Sequence, residues 1–249
     1  MMSNEAHSSL PFIVAHQQML REQLSLSLEK LHPTLQSDVI CALQEQGKLL
    51  SQSTHLEGDA TSHTIVGSWS LLPLLVAQHV RPDIDLVYAG NVAIAVECLV
   101  CALDLLDDIE DSDATPIVDA LGTARVLNVS TALLMLAQKA IVSLKQIGIA
   151  SDTIVCLLDT MQEAVIVATV GQHRDLLAEH RPAQDLTFEE CIEIAAGKAG
   201  SLMRLACCMG ALCADANTLV VEQFSELGKL LGISYQLDND SHDMYYLLQ

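Results

Sequence analysis

Residues 91–106 are almost entirely apolar and helical in period, broken only by Asn91, Glu97 and Asp104, and they end abruptly in Asp107-Asp108-Ile109-Glu110-Asp111. On a helix Asp107 and Asp111 project from one face, one turn apart. Like charges in that arrangement cost a few tenths of a kcal/mol unless something positive lies between them. A hard divalent cation fits, because carboxylate oxygens suit Mg²⁺, which keeps several waters and binds substrate phosphate with its remaining positions. Asp104, three residues upstream of Asp107, adds a carboxylate near that face. A single acidic run is usually a solvated helix end. Here a second one follows an apolar helical run near the C-terminus: Tyr235-Gln236-Leu237-Asp238-Asn239-Asp240-Ser241-His242-Asp243. Asp240 and Asp243 are three apart, Asn239 and Asp243 four apart. Two such clusters, each closing a helix, suggest opposed walls of one cavity.

The rest of the chain supports an all-α fold. With 249 residues and 51% hydrophobic content it can bury a large core, Ala, Leu, Val and Ile dominate, and 12 glycines are few for a sheet protein. A formal net charge of −20 with only 12 scattered Lys and Arg argues against nucleic acid and against anionic membrane surfaces. Eight cysteines lack a disulfide framework, which favours a reducing, cytoplasmic setting. Cys98 and Cys101 form a CxxC on an apolar helix, read as small core residues because no second ligand pair follows at zinc-site spacing. No signal peptide is evident. The uncharged stretch between Asp59 and Arg81 holds His63, Gly67, Ser68, Ser70, Pro73, Gln78 and His79, so a buried interrupted helix is predicted there rather than stable membrane insertion.

Residues 1–15 read as a loose leader. Helices are predicted over about 15–31, 35–50, 64–79, 86–107, 118–147 in one or two segments, 152–177, 188–214, and from 220 to beyond 243. Loops are expected at 51–62 and 178–185, and turns at 81–83 and 112–116. Acidic residues at the C-terminal end of the 86–107 helix oppose its macrodipole, a local sacrifice typical of functional sites. Gly197-Lys198-Ala199-Gly200 invites a kink inside the 188–214 helix.

With these pieces in order, residues 67–243 resemble the trans-prenyl diphosphate synthase (polyprenyl synthetase) family. Asp107, Asp108 and Asp111 match its DDxxD motif, with Glu97 ten residues upstream of Asp107. Gly171-Gln172-His173-Arg174-Asp175 looks like its GQxxD segment, Lys198 falls at its kink lysine, and Tyr235 to Asp243 matches the second motif with Asn239 replacing the first aspartate. The resemblance implies the isoprenoid synthase helical bundle around a central cavity, a single domain over 1–249, further helices beyond 249, and a homodimer. It implies Mg²⁺ held by Asp107, Asp111 and Asp240, with Asp108, Asn239 and Asp243 assisting directly or through other ligands. It assigns catalysis to Asp107, Asp108, Asp111 and Lys198, with Lys198 on diphosphate oxygen, Gln172 and Gln236 orienting waters or ligands, and Arg174 as a further diphosphate donor. The implied substrate is an allylic prenyl diphosphate, ionised with metal and cationic side chains stabilising the departing diphosphate.

Two departures shape the expected activity. Chain-extending members hold isopentenyl diphosphate with a GKRxR-type segment; here Gly67-Ser68-Trp69-Ser70-Leu71-Leu72-Pro73 has neither lysine nor arginine. The next basic residue after Asp111 is Arg125, where the family has an arginine pair. Two or three missing charge-assisted hydrogen bonds, at about 1.5–3 kcal/mol each, weaken such a site about a hundredfold or abolish it. The expected enzyme therefore ionises one allylic diphosphate without isopentenyl condensation, through terpene-synthase-type loss or capture of the cation, or through transfer to another acceptor, as in bacterial enzymes that prenylate a peptide tryptophan. The alternatives are a farnesyl or geranylgeranyl diphosphate synthase and a non-catalytic partner subunit. Few aromatics, and Asp243 and Leu247 where an NDxxSxxxE motif needs Ser and Glu, argue against an elaborate cyclase. Ala102 and Leu103, one turn below Asp107, leave room for a C15 or C20 chain.

Overall fold

A computed structural model describes residues 6–46, 48, 50, 69–182 and 185–247, with side chains from 16 to 241. Among these residues the chain forms ten α-helices and no strand: α1 Ala6–Leu28, α2 Pro33–Glu45, α3 Leu71–Val80, α4 Leu86–Glu110, α5 Pro116–Leu121, α6 Thr123–Ser143, α7 Ser151–Glu179, α8 Phe188–Ala195, α9 Ser201–Cys213 and α10 Thr218–Leu247. The predicted all-α class is the observed one. Contacts divide the chain into two compact units, Met1–Leu71 with Gly90–Ala140, and Leu72–Ala89 with Ile141–Gln249.

In the first unit α4 is apolar nearly all round and accordingly buried nearly all round. Val92, Val96, Leu99, Ala102 and Leu105 are closed off from solvent, with Leu20, Leu24, Leu28, Val39 and Leu43 of α1 and α2 also in the core. Cys98 and Cys101 are buried free thiols, and loss of solvent pushes both far above the ordinary thiol range, as befits core residues. α2 starts where His32 caps the Thr34 amide and Pro33 occupies the first turn, where its missing N–H is harmless.

The second unit is tied by small residues. A β-carbon at Gly210 would lie 2.5 Å from the Pro73 carbonyl oxygen, and one at Gly228 2.4 Å from that of Met203, so α9 approaches α3 and α10 at backbone distance. α8 begins with a reciprocal cap. The Thr187 hydroxyl accepts from the Glu190 amide at 3.1 Å, and the Glu190 carboxylate accepts from the Thr187 amide at 3.0 Å.

Several element ends differ from expectation. α1 begins at Ala6, so helix replaces most of the leader expected through residue 15. α2 stops at Glu45 instead of near 50, and α4 runs on to Glu110 instead of stopping at 107. The expected 51–62 loop, and 64–68 of the expected 64–79 helix, lie outside the described residues. Among the described residues, three helical segments are long and apolar enough to cross a membrane: Leu86–Glu110, Thr123–Ile147 and Ser151–Glu179. Of their most apolar windows, 78% of the first but only 28% of the third is buried.

Candidate active site

The first acidic cluster occupies the last turns of α4. The helix ends in a Schellman motif, with the Asp113 amide donating to the Asp108 carbonyl at 2.8 Å and Ser112 to Ile109 at 3.2 Å. Ser112 sits at φ 60°, where glycine is usual, so this terminus carries local strain of roughly 1 kcal/mol. Asp107 and Asp111 are half-buried and one turn apart, as the spacing predicted. Asp108 faces elsewhere: its Oδ2 accepts from Gln46 Nε2 at 2.6 Å and from Thr115 Oγ1 at 3.4 Å. Burial raises the Asp108 carboxyl above its ordinary value, while these two donors pull it back. Asp104 is engaged by Lys48.

In the second unit the glycine-flanked lysine does what the sequence suggested. Residues Ala196–Gly200 widen into a π-helical stretch, and Lys198 leaves the helical region at ψ −106°. The Ser201 hydroxyl donates to the Gly197 and Lys198 carbonyls at 2.5 and 2.9 Å, satisfying oxygens next to the bend. Gly171 of α7 permits the bend, since a β-carbon there would lie 2.5 Å from the Gly197 carbonyl carbon. Lys198 Nζ thereby reaches Asp175 Oδ2 at 2.6 Å. Asp175 completes the GQxxD segment that the sequence singled out without assigning it a role. Gln172, half-buried, lies one turn before it on α7.

Arg174 takes a different course. It donates to Glu193 at 2.7 Å, and both line a groove of about 830 Å³ with Val170, Arg204, Val221 and Lys229. On α10 Gln236 Nε2 donates to Asp240 Oδ1 at 3.0 Å. Asn239 and Asp240 are exposed, and the Asp243 side chain lies outside the described ones. Tyr235, Asp238 and Ser241 point from a neighbouring stripe of α10 into a cleft of about 610 Å³ with Leu72 and Met203.

Among the described residues no three acidic, histidine or cysteine side chains converge to hold a metal ion unaided. The donor set is all oxygen, and the half-buried Asp107 and Asp111 share one helix stripe. Such a pair fits Mg²⁺, which completes its octahedron with water and phosphate instead of a closed protein cage.

Comparison with known proteins adds to this geometry. Residues 70–247 match the polyprenyl synthetase family. The chain is 29% identical over 157 residues to the geranylgeranyl diphosphate synthase of Mycobacterium tuberculosis (strain ATCC 25618 / H37Rv), a match over 61% of this chain and 43% of that one. It is 30% identical over 188 residues to tryptophan prenyltransferase ComQ of Bacillus spizizenii, covering 75% of this chain and 61% of the relative. Each match thus spans less than two thirds of the curated relative. A crystal structure of a geranylgeranyl pyrophosphate synthase superposes with a TM-score of 0.77 over 94% of this chain and 65% of that one, and at 21% identity it shows a common all-α fold.

Proposed function

The chain belongs to the polyprenyl synthetase family, and from that premise we propose that it is a Mg²⁺-dependent class I isoprenoid synthase that ionises an allylic prenyl diphosphate without condensing isopentenyl diphosphate. The observation that carries the reading is the kink at Lys198, which lifts a lysine out of a helix beside Asp175. An ammonium has three donors, so Lys198 keeps its Asp175 bond while giving a second hydrogen bond to a diphosphate oxygen. Asp107 and Asp111 from α4, and Asp240 with Asn239 and Asp243 from α10, are assigned to Mg²⁺. When bound there it would act as a Lewis acid, neutralising charge on the departing diphosphate. Gln236 holds the Asp240 carboxylate, and Gln172 is assigned to orient water or substrate oxygen. Arg174 remains a further donor to diphosphate oxygen, since its exposed bond to Glu193 occupies only part of a guanidinium with five donors.

The absence of condensation rests on residues 67–73. Trp69, Ser70, Leu71 and Pro73 are buried, and the Ser70 amide is turned toward the Glu97 carboxylate at 3.4 Å. This stretch offers a second diphosphate no cation. Transfer to an indole acceptor is the variant of this reading that the likeness to ComQ over three quarters of this chain supports. Chain elongation is the second reading, favoured by the relatives named as farnesyl and geranylgeranyl diphosphate synthases.

Incubation with C10, C15 and C20 allylic diphosphates and Mg²⁺ separates these readings. Mass spectrometry is expected to show hydrocarbon or alcohol from the C15 or C20 substrate, or a prenylated adduct when a tryptophan-containing peptide is added. A lengthened diphosphate on adding isopentenyl diphosphate would establish elongation instead. Complete inertness toward all three would mark a non-catalytic subunit.

The enzyme is further assigned to the cytoplasm, where its eight free cysteines stay reduced, and to a homodimer. Val155, Ile166, Val170 and Leu177 are exposed along one stripe of α7, and a second copy would remove that stripe from water. Light scattering is expected to give twice the 26.9 kDa chain mass. Ile166→Glu with Val170→Glu should return the monomer mass, whereas a monomeric wild type refutes the assignment.

A further inference from the structure

Lys48 is only 7% exposed, in a chain whose other lysines and arginines are mostly at the surface. Its ammonium donates to Asp104 Oδ2 of α4, 56 residues away in sequence. Two residues earlier, Gln46 Nε2 donates to Asp108 Oδ2 at 2.6 Å. Asp104 and Asp108 are four apart and share a helix stripe. Asp107 and Asp111 form a second such pair, rotated from the first by about 60°. The carboxylates closing α4 therefore sort into two couples, one gripped by the segment after α2 and one on the adjacent stripe. Glu97, fully buried, lies seven residues before Asp104 on the gripped stripe, and its charge joins that of Asp104 in favouring the Lys48 ammonium. Desolvation is the largest single influence on Lys48 and opposes its charge, but the acidic neighbours together outweigh it, so the lysine stays protonated.

We propose that Gln46 and Lys48 form a positioning clamp for the metal end of α4, with Asp104 and Asp108 as its anchor points rather than as metal ligands. The clamp rests on the functional reading above. It fixes the rotation of the last two turns, and it places one permanent positive charge among the carboxylates, which sets how strongly the Asp107 and Asp111 couple attracts a cation.

The test is calorimetric titration of the full chain with Mg²⁺ in the presence of inorganic pyrophosphate, with thermal unfolding of each variant alongside. Asp104→Asn removes a negative charge, keeps an acceptor for Lys48, and is expected to weaken cation binding about tenfold. Lys48→Met removes the positive charge and should tighten it by a similar factor, because the Asp104 carboxylate, 36% exposed, then loses its counter-charge. Lys48→Met with Asp104→Leu, which restores a neutral pair, should fall within about twofold of wild type. Lys48→Arg should rescue wild-type cation affinity, and it keeps the charge argument open to refutation if Lys48→Met does not fold. A purely structural contact cannot move the two single variants in opposite directions. If both single variants lower the melting temperature while leaving cation affinity unchanged, the clamp is refuted and the metal site stands. If wild type binds no Mg²⁺ even with pyrophosphate, the metal reading fails and takes the clamp with it.

Discussion

Asp107→Ala is expected to cut Mg²⁺-dependent pyrophosphate release from farnesyl or geranylgeranyl diphosphate by about a hundred- to a thousandfold. Losing one electrostatic stabiliser of a departing anion typically costs that much, and Asp111 is left without the carboxylate one turn before it at the end of α4. Pyrophosphate assays with and without Mg²⁺ read the loss, and a thermal melt checks that the variant is folded. Asp240→Ala should show the same loss of turnover. Undiminished release in either variant would remove the metal assignment.

Gly171→Ala should destabilise the protein by about 2 kcal/mol and abolish diphosphate binding at Lys198. Helix propensity alone predicts the opposite, since alanine is better than glycine inside a helix by about 1 kcal/mol. Packing decides the sign. The added carbon would lie 2.5 Å from the Gly197 carbonyl carbon and 2.6 Å from the Lys198 amide nitrogen, and both are backbone atoms that cannot swing aside. Overpacking of that kind costs roughly 1–3 kcal/mol or more, so the net change is unfavourable. Relief requires α7 and the kink to part, which carries Lys198 away from Asp175. A melting temperature lowered by about 5 °C is expected for a chain of this size, together with loss of pyrophosphate binding by calorimetry. A variant that melts higher than wild type would show that the two backbones separate without penalty.

What the sequence disclosed was carried by local chemistry. The period of residues 91–106 placed α4, and the two glycines around Lys198 placed the bend. The family motifs between 67 and 243 anticipated a family match that runs over 70–247. The misplaced ends have specific causes. The loose leader expected over residues 1–15 gives way to α1, which begins at Ala6 and runs through Pro11. α4 was ended at Asp107 because its stop is formed by Ser112 at positive φ, whereas sequence rules look for glycine there. The larger omission was tertiary. Nothing near Lys48 announces Asp104, and nothing near Gln46 announces Asp108 across 62 residues. The pairing of Arg174 with Glu193 on another helix is likewise invisible in the sequence. Pairings between distant elements leave no periodic trace, so Asp108 was grouped with its sequence neighbours instead of with the side chain that holds it.

The wide turn at Ala196–Gly200 also constrains how this stretch can change over evolution. A π-helical turn holds one residue more than an α-turn. Deleting one residue here would let the turn close to α pitch with Leu202, Leu205 and Ala206 still facing the interior they now fill. What would be lost is the bend itself, and with it the reach of Lys198 to Asp175.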